Sequence, residues 1–183
     1  MSAEWIDKNI IEGCLKNDRK AQELLYKQFY SPMISICLRY TRNEEDALEV
    51  LHNGFLKVFK HLATYDTAKA SLYTWIKTIM VNSAIDFIRS RQKFKTQVEL
   101  KETHEAGSID NDAIHRMGST ELLKLIQKLP MATQTVFNLY IIEGYNHREI
   151  GNILGISDGT SKWHLSEARR LLKQLLLTMH AVR

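Results

Sequence analysis

Residues 143–172 read EGYNHREIGNILGISDGTSKWHLSEARRLL, and their punctuation leaves few folds open. Asn146 followed three residues later by Glu149 is a reciprocal capping pair that starts a helix. Ile150, Ile153 and Leu154 give that helix one apolar stripe, and Gly155 sits where a left-handed residue stops it after about two turns. Ile156 plugs the corner, and Ser157 caps a second helix that begins at Asp158 or Gly159. On this second helix Ser161, Leu165, Ala168 and Leu172 fall on the inward stripe. Lys162, Trp163, Ser166, Glu167, Arg169 and Arg170 fall on outward sides. Two short helices joined by a glycine turn are the sequence form of a helix-turn-helix DNA reader, or of a helical hairpin with a solvated polar face.

The rest of the 183-residue chain predicts an all-α protein. Two prolines, eight glycines and helix formers throughout, with no alternating strand pattern, exclude a sheet. No apolar run is long enough to cross a bilayer, and residues 1–16 alternate charged with apolar positions, unlike a signal peptide, so a cytoplasmic protein without membrane insertion is expected. Cys14 and Cys37 have no Cys or His partners at metal-site spacing, which predicts small buried residues and no metal or other cofactor. The net charge of +4 divides unevenly: 14 basic and 11 acidic residues in 1–93, 3 and 5 in 94–120, 8 and 5 in 121–183. Two mildly basic blocks around an acidic one suggest two modules and a linker.

Helical spacing recurs along the first block. Ile10, Ile11, Cys14 and Leu15, then Leu24, Leu25 and Phe29, predict two packed helices with Asp18 as the cap between them, and Pro32 a break or kink before Met33. Asn43 caps a helix that opens on Glu44, Glu45 and Asp46, the sign the helix dipole favours, and continues through Leu48, Leu51, Phe55, Val58 and Phe59. Gly54 in its middle costs about 1 kcal/mol relative to Ala and needs a packing reason. Residues 61–70 read as a loop. Ser71 caps a long helix with Leu72, Trp75, Ile76 and Ile79 on one face and Asn82, Asp86, Arg89 and Lys93 on the other, where an Asp86–Arg89 pair is available. Residues 95–119 read as flexible linker with a helical turn near 113–117. Helices around Leu122–Leu129 and, after Pro130, through Val136, Phe137, Tyr140 and Ile141 complete a C-terminal four-helix module.

In order and spacing, these pieces resemble the sigma-70 family of bacterial transcription initiation factors, in its extracytoplasmic-function (ECF) branch, which keeps only the second and fourth conserved regions. The resemblance lies in Leu25-Tyr26, Phe29, Pro32, Asp46-Ala47, Phe55, Lys57-Val58-Phe59, Trp75-Ile76, Asn82, Asp86 and Arg89 for the second region. For the fourth it lies in Leu129-Pro130, Val136-Phe137, Glu143-Gly144, Glu149-Ile150, Leu154 to Ser157, Gly159-Thr160, Lys162 and Ala168-Arg169. The resemblance implies a non-enzymatic protein of two modules, 1–93 and 121–183, joined by the flexible segment 94–120. Its implied partners are core RNA polymerase, through the clamp helices of the large subunit and the flap, promoter DNA and an anti-sigma factor.

The resemblance also implies site residues. On the helix after Asn43, Asp46, Leu48, Glu49, His52, Asn53 and Phe55 would face polymerase, although Phe55 reads equally as a core aromatic. Tyr65, Asp66, Tyr73, Lys77, Asn82, Asp86, Arg89 and Lys93 would take the opened strand of the minus-ten element, since captured bases need aromatic faces and their backbone needs cations. Trp75 and Ile76 are assigned to the core. Gly159, Thr160, Lys162, Trp163, Ser166, Glu167, Arg169 and Arg170 would enter the major groove at the minus-thirty-five element, with His147 and Arg148 on its backbone. The sequence departs from the family pattern at Glu49, His52, Gly54, Ser161, Trp163 and Glu167. Trp163 either contacts DNA or packs on protein, and Glu167 repels phosphate but can accept from a cytosine amino group. The competing reading is a conventional helix-turn-helix regulator that binds duplex DNA without polymerase. An enzyme has no supporting constellation of phosphate loop, metal ligands or activated nucleophile.

Overall fold

A computed structural model describes residues 3–91 and 119–181, with side chains for 8–91 and 121–179. The described residues form eight α-helices and no strand: α1 Ala3–Leu15, α2 Arg19–Tyr40, α3 Glu44–His61, α4 Leu72–Arg91, α5 Ser119–Gln127, α6 Met131–Phe137, α7 His147–Leu154 and α8 Asp158–Ala181. The chain divides into two compact units, Met1–Ile88 and Arg89–Arg183. Most of the segment 94–120, the helical turn expected near 113–117, and Lys93 lie outside the described residues.

In the first unit α1 and α3 both pack on α2. The caps are those the sequence predicts. Asp18 accepts from the Lys20 N–H at 2.8 Å, and Asn43 Oδ1 accepts from the Asp46 N–H at 2.7 Å. Leu25, Met33, Val58, Ile76 and Met80 have no exposed surface. The break expected at Pro32 is absent, because α2 runs unbroken from Arg19 to Tyr40. An internal proline costs about 3 kcal/mol, whereas burying Phe29, Met33 and Ile36 on either side returns about 1.5–3 kcal/mol for each side chain. Leu24, read with Leu25 in the inward stripe, is instead 55% exposed, since Leu25, Phe29 and Met33 already fill the i, i+4 row. Gly54 has its packing reason: a Cβ there would collide with the thioether of Met80 on α4.

In the second unit α6 and α7 pack on α8. The Asn146–Glu149 capping box forms in full, with N–H···O distances of 2.9 and 2.8 Å. Gly155 is left-handed (φ 69°), and Ser157 Oγ accepts from the Thr160 N–H at 3.0 Å to open α8. Ser161, Leu165, Ala168 and Leu172 are buried, as their spacing predicts. The helix expected to run on through Tyr140 and Ile141 changes character at Asn138, where a π-helical turn spans Asn138–Ile142. Its extra residue rotates the register, so Leu139 is fully buried while Ile141 is 48% exposed and Tyr140 turns toward α7.

The corner between α7 and α8 leaves no room for a side chain at Gly151, where a Cβ would lie 2.8 Å from the carbonyl oxygen of Ile156. That oxygen belongs to the turn backbone and cannot swing aside as a side-chain tip can. Replacing Gly151 with alanine gains about 1 kcal/mol of helix propensity but forces the corner open at a cost of about 1–3 kcal/mol. Gly151→Ala is therefore expected to be no more stable than the parent chain in chemical denaturation and up to about 2 kcal/mol less stable; a gain in stability would contradict the close approach.

Candidate protein- and DNA-binding surfaces

The outer side of α3 is the first candidate surface. Glu49, His52 and Asn53 are exposed and Asp46 and Leu48 half-buried, whereas Phe55 is 2% exposed and cannot serve as an interface residue. Its ring lies 4.6 Å from that of Tyr26 and 6.2 Å from that of Phe59 by centroid distance, inside the α2–α3 seam. The apolar group that α3 does present is Leu56, 67% exposed. Sequence reading missed it by following the inward stripe, yet its position three and four residues beyond Asn53 and His52 is a legible signal. His52 stacks loosely on Tyr26 at 6.4 Å, which ties the outer face of α3 to α2.

The second surface follows α3 into α4. Asn82, Asp86 and Arg89 are exposed along one side of α4, as their spacing predicts. The partner of Asp86 is Lys57 of α3 at 2.9 Å, not Arg89. The pair is open to solvent, so it contributes at most about 1 kcal/mol, but it places an ammonium beside the carboxylate on that face. Tyr65 is part of the loop's own frame. Its hydroxyl donates to the Ala70 carbonyl at 3.1 Å and its ring packs on half-buried Trp75 at 5.4 Å. Asp66 Oδ1 accepts from the Ala68 N–H at 2.9 Å, with Lys69 3.8 Å away. Tyr73, 46% exposed, is therefore the more open aromatic of this face, with Lys77 half-buried one turn on. Ile76 is core.

The third surface is the helix-turn-helix. Arg148, Gly159 and Lys162 are exposed, and Thr160, Trp163, Ser166, Arg169 and Arg170 are half-buried. Glu167 is bound by the Arg170 guanidinium through two bonds of 2.7 and 2.6 Å, so this bidentate pair fixes both side chains along α8 and neutralises the carboxylate that would otherwise repel phosphate. Trp163 packs edge-on against His164 at 5.0 Å, which places part of the indole on its own module.

Two histidines tie α8 to its neighbours. His147, expected with Arg148 to face the DNA backbone, is half-buried: Nδ1 lies 2.9 Å from Ser161 Oγ, and the ring stacks on Tyr140 at 4.5 Å and 23°. His164, absent from the sequence-based site, is 7% exposed with Nδ1 3.0 Å from Thr133 Oγ1 of α6. Its signal was its place three residues after Ser161 and one before Leu165, on the inward stripe. Burial lowers the pKa of both imidazoles. Lys162 and Arg169 lower His147 further against the opposing pull of Asp158, and Glu167 opposes the shift at His164. Among the described residues no group of His, Cys, Asp and Glu is arranged to hold a metal ion, and both cysteines are buried free thiols.

The two lowered pKa values carry a pH dependence with a definite sign. The folded unit prefers both imidazoles neutral, so their contribution to stability is complete above the ordinary pKa of 6.5 and is lost as pH falls below it toward the folded values. Urea midpoints of the second unit's transition are expected to drop between about pH 7 and 5. His164→Asn is expected to flatten part of that drop, and a midpoint that rises on acidification would contradict the assignment.

Comparison with known proteins identifies the family of the chain. Residues 25–94 match the family model of sigma-70 region 2, and residues 119–172 match that of sigma-70 region 4. The chain is 22% identical over 184 residues to the ECF RNA polymerase sigma-E factor of Haemophilus influenzae, covering 94% of this chain and 96% of that one. It is 26% identical over 156 residues to the ECF RNA polymerase sigma factor SigM of Bacillus subtilis, covering 82% and 92%. Among solved structures, CnrH in complex with the cytosolic domain of CnrY covers 94% of this chain and 98% of its own, at 17% identity and a TM-score of 0.49. With both regions present in order over most of its length and relatives of this kind along nearly all of it, the chain belongs to the ECF branch of the sigma-70 family of RNA polymerase sigma factors.

Proposed function

We propose that this protein is an ECF sigma factor that binds core RNA polymerase, directs it to promoters through minus-ten and minus-thirty-five elements, and acts by binding alone, in the cytoplasm. The observation that carries this reading is the pairing of a region 2 match and a region 4 match in one chain. A regulator that reads duplex DNA by itself needs only the second. No described helix is long and apolar enough to cross a membrane.

In this reading α3 docks on the polymerase clamp helices through Asp46, Leu48, Glu49, His52 and Asn53, with Leu56, in place of buried Phe55, as the apolar anchor. An exposed leucine ringed by polar side chains is the residue type that an apolar pocket on a partner takes up. The open side of α4, with Tyr73, Lys77, Asn82, Asp86 and Arg89, and with Lys57 alongside, takes the displaced strand. One or two stacked bases at about 1–3 kcal/mol each offset local unpairing. The N-terminal half of α8 enters the major groove at the upstream element, where Lys162 and Arg169 supply phosphate or base contacts and Arg148 the backbone contact. The family further implies the polymerase flap and an anti-sigma factor as partners.

Leu56→Asp is expected to weaken binding to core polymerase at least about tenfold while leaving the helical circular dichroism and thermal midpoint of the free protein unchanged, because the side chain is exposed there. Core binding at parental strength by the folded variant would remove Leu56 from the interface. Failure of the parent protein to bind core at all would overturn the reading itself.

A further inference from the structure

The helix-turn-helix buries a polar contact where its own pattern asks for an apolar one. Ser161 is the first residue of the inward stripe of α8, with no exposed surface, and its hydroxyl meets the Nδ1 of His147 from α7 at 2.9 Å. On its other side the imidazole stacks on Tyr140, which the π turn at Asn138–Ile142 swings into place. Three local irregularities thus converge on one ring at the start of α7: a serine in a core stripe, a π turn and a half-buried histidine. Helix packing alone would be served by a valine against a leucine, without the cost of desolvating a hydroxyl and an imidazole.

We propose that Tyr140 and Ser161 position His147 as a proton-linked phosphate contact, so that duplex DNA binding by this module takes up a proton. The inference rests on the reading that α8 enters duplex DNA. A hydroxyl is the side-chain group that serves both charge states of the ring. It donates to Nδ1 of the neutral imidazole and accepts from the Nδ1–H of the imidazolium, by turning its own proton away from the ring. In either state Nε2 carries a hydrogen to donate outward. The groups that face the ring are cations and one anion on α8, namely Lys162, Arg169 and Asp158, with Tyr140 across the stack. On its own helix Arg148 is exposed, and Glu149 is committed to the Asn146 N–H. In the free protein burial favours the neutral ring, and repulsion from Lys162 and Arg169 adds to that preference. A phosphate laid across Lys162 and Arg169 cancels that repulsion and adds its own attraction, which favours the imidazolium in the complex.

The test follows histidine Cε1–H and backbone amide signals of the full chain by NMR from about pH 8 to 5, alone and with a mixed-sequence duplex of about two helical turns. Low salt populates the weak non-specific binding common to DNA-reading modules. The expected result is a His147 titration moved to higher pH by duplex, an unmoved His164, and duplex affinity that rises about three- to tenfold between pH 7.5 and 6. His147→Gln should remove the pH dependence by removing the proton, and Ser161→Val should remove it by leaving the imidazolium Nδ1–H without an acceptor. A His147 titration unmoved by duplex while Lys162 and Arg169 signals shift, or a pH dependence that survives His147→Gln, would overturn the inference and leave the DNA reading standing. If no α8 signal responds to duplex, both fall together.

Discussion

The close approach of Gly151 to the Ile156 carbonyl sets the angle at which α7 and α8 meet, and the second unit's DNA-facing geometry depends on that angle. A side chain there would meet the Ile156 carbonyl and strain the corner across which Ser161 reaches His147. Gly155 in the left-handed region and the Ser157 cap serve the same corner from either side. The first unit uses the same device where α3 crosses α4, with Gly54 admitting the Met80 thioether. There the steric burden falls on a movable side-chain end, so the helix-turn-helix corner is the stiffer of the two.

Charge on the proposed DNA-facing sides is managed by pairing acids locally. Asp86 and Glu167 lie on the helical faces of those surfaces, and each is held by a cation, Lys57 in one case and Arg170 in the other. The exposed Asp86–Lys57 pair contributes little to stability. Its consequence is electrostatic: the carboxylate meets an approaching phosphate already accompanied by a positive charge. The half-buried Glu167–Arg170 pair is bidentate and more rigid, and it fixes two side chains that sequence alone treats as free.

Much of this fold is legible in the chain because helix starts and stops are local chemistry. Asp18, Asn43, Ser71, Asn146 and Ser157 each cap the helix they precede, and the stripe from Ser161 to Leu172 is buried as spaced. What local pattern does not encode is tertiary compensation. Pro32 sits inside an unbroken helix because the core on both sides outweighs its missing hydrogen bond, and the π turn after Phe137 appears only once Leu139 has a core to fill. The site residues divide along the same line. Exposed positions on a regular helix, such as Asn82 and Arg89, follow from spacing. Phe55, Leu56, Tyr65 and His147 depend on which neighbour reaches them first. The ion pair from Lys57 to Asp86 joins residues 29 apart in sequence and leaves no trace in the periodicity of either helix.

The account stands or falls on whether this chain gives core polymerase a promoter preference. The most direct measurement is to map transcript 5′ ends made on fragments of its own genome by core RNA polymerase with and without the protein. The expected result is a set of start sites that appears only with the protein, each preceded by the same pair of upstream elements, and that disappears when α8 loses Lys162 and Arg169. Start sites identical with and without the protein, together with tight duplex binding by the protein alone, would contradict the account and favour a regulator that works without polymerase.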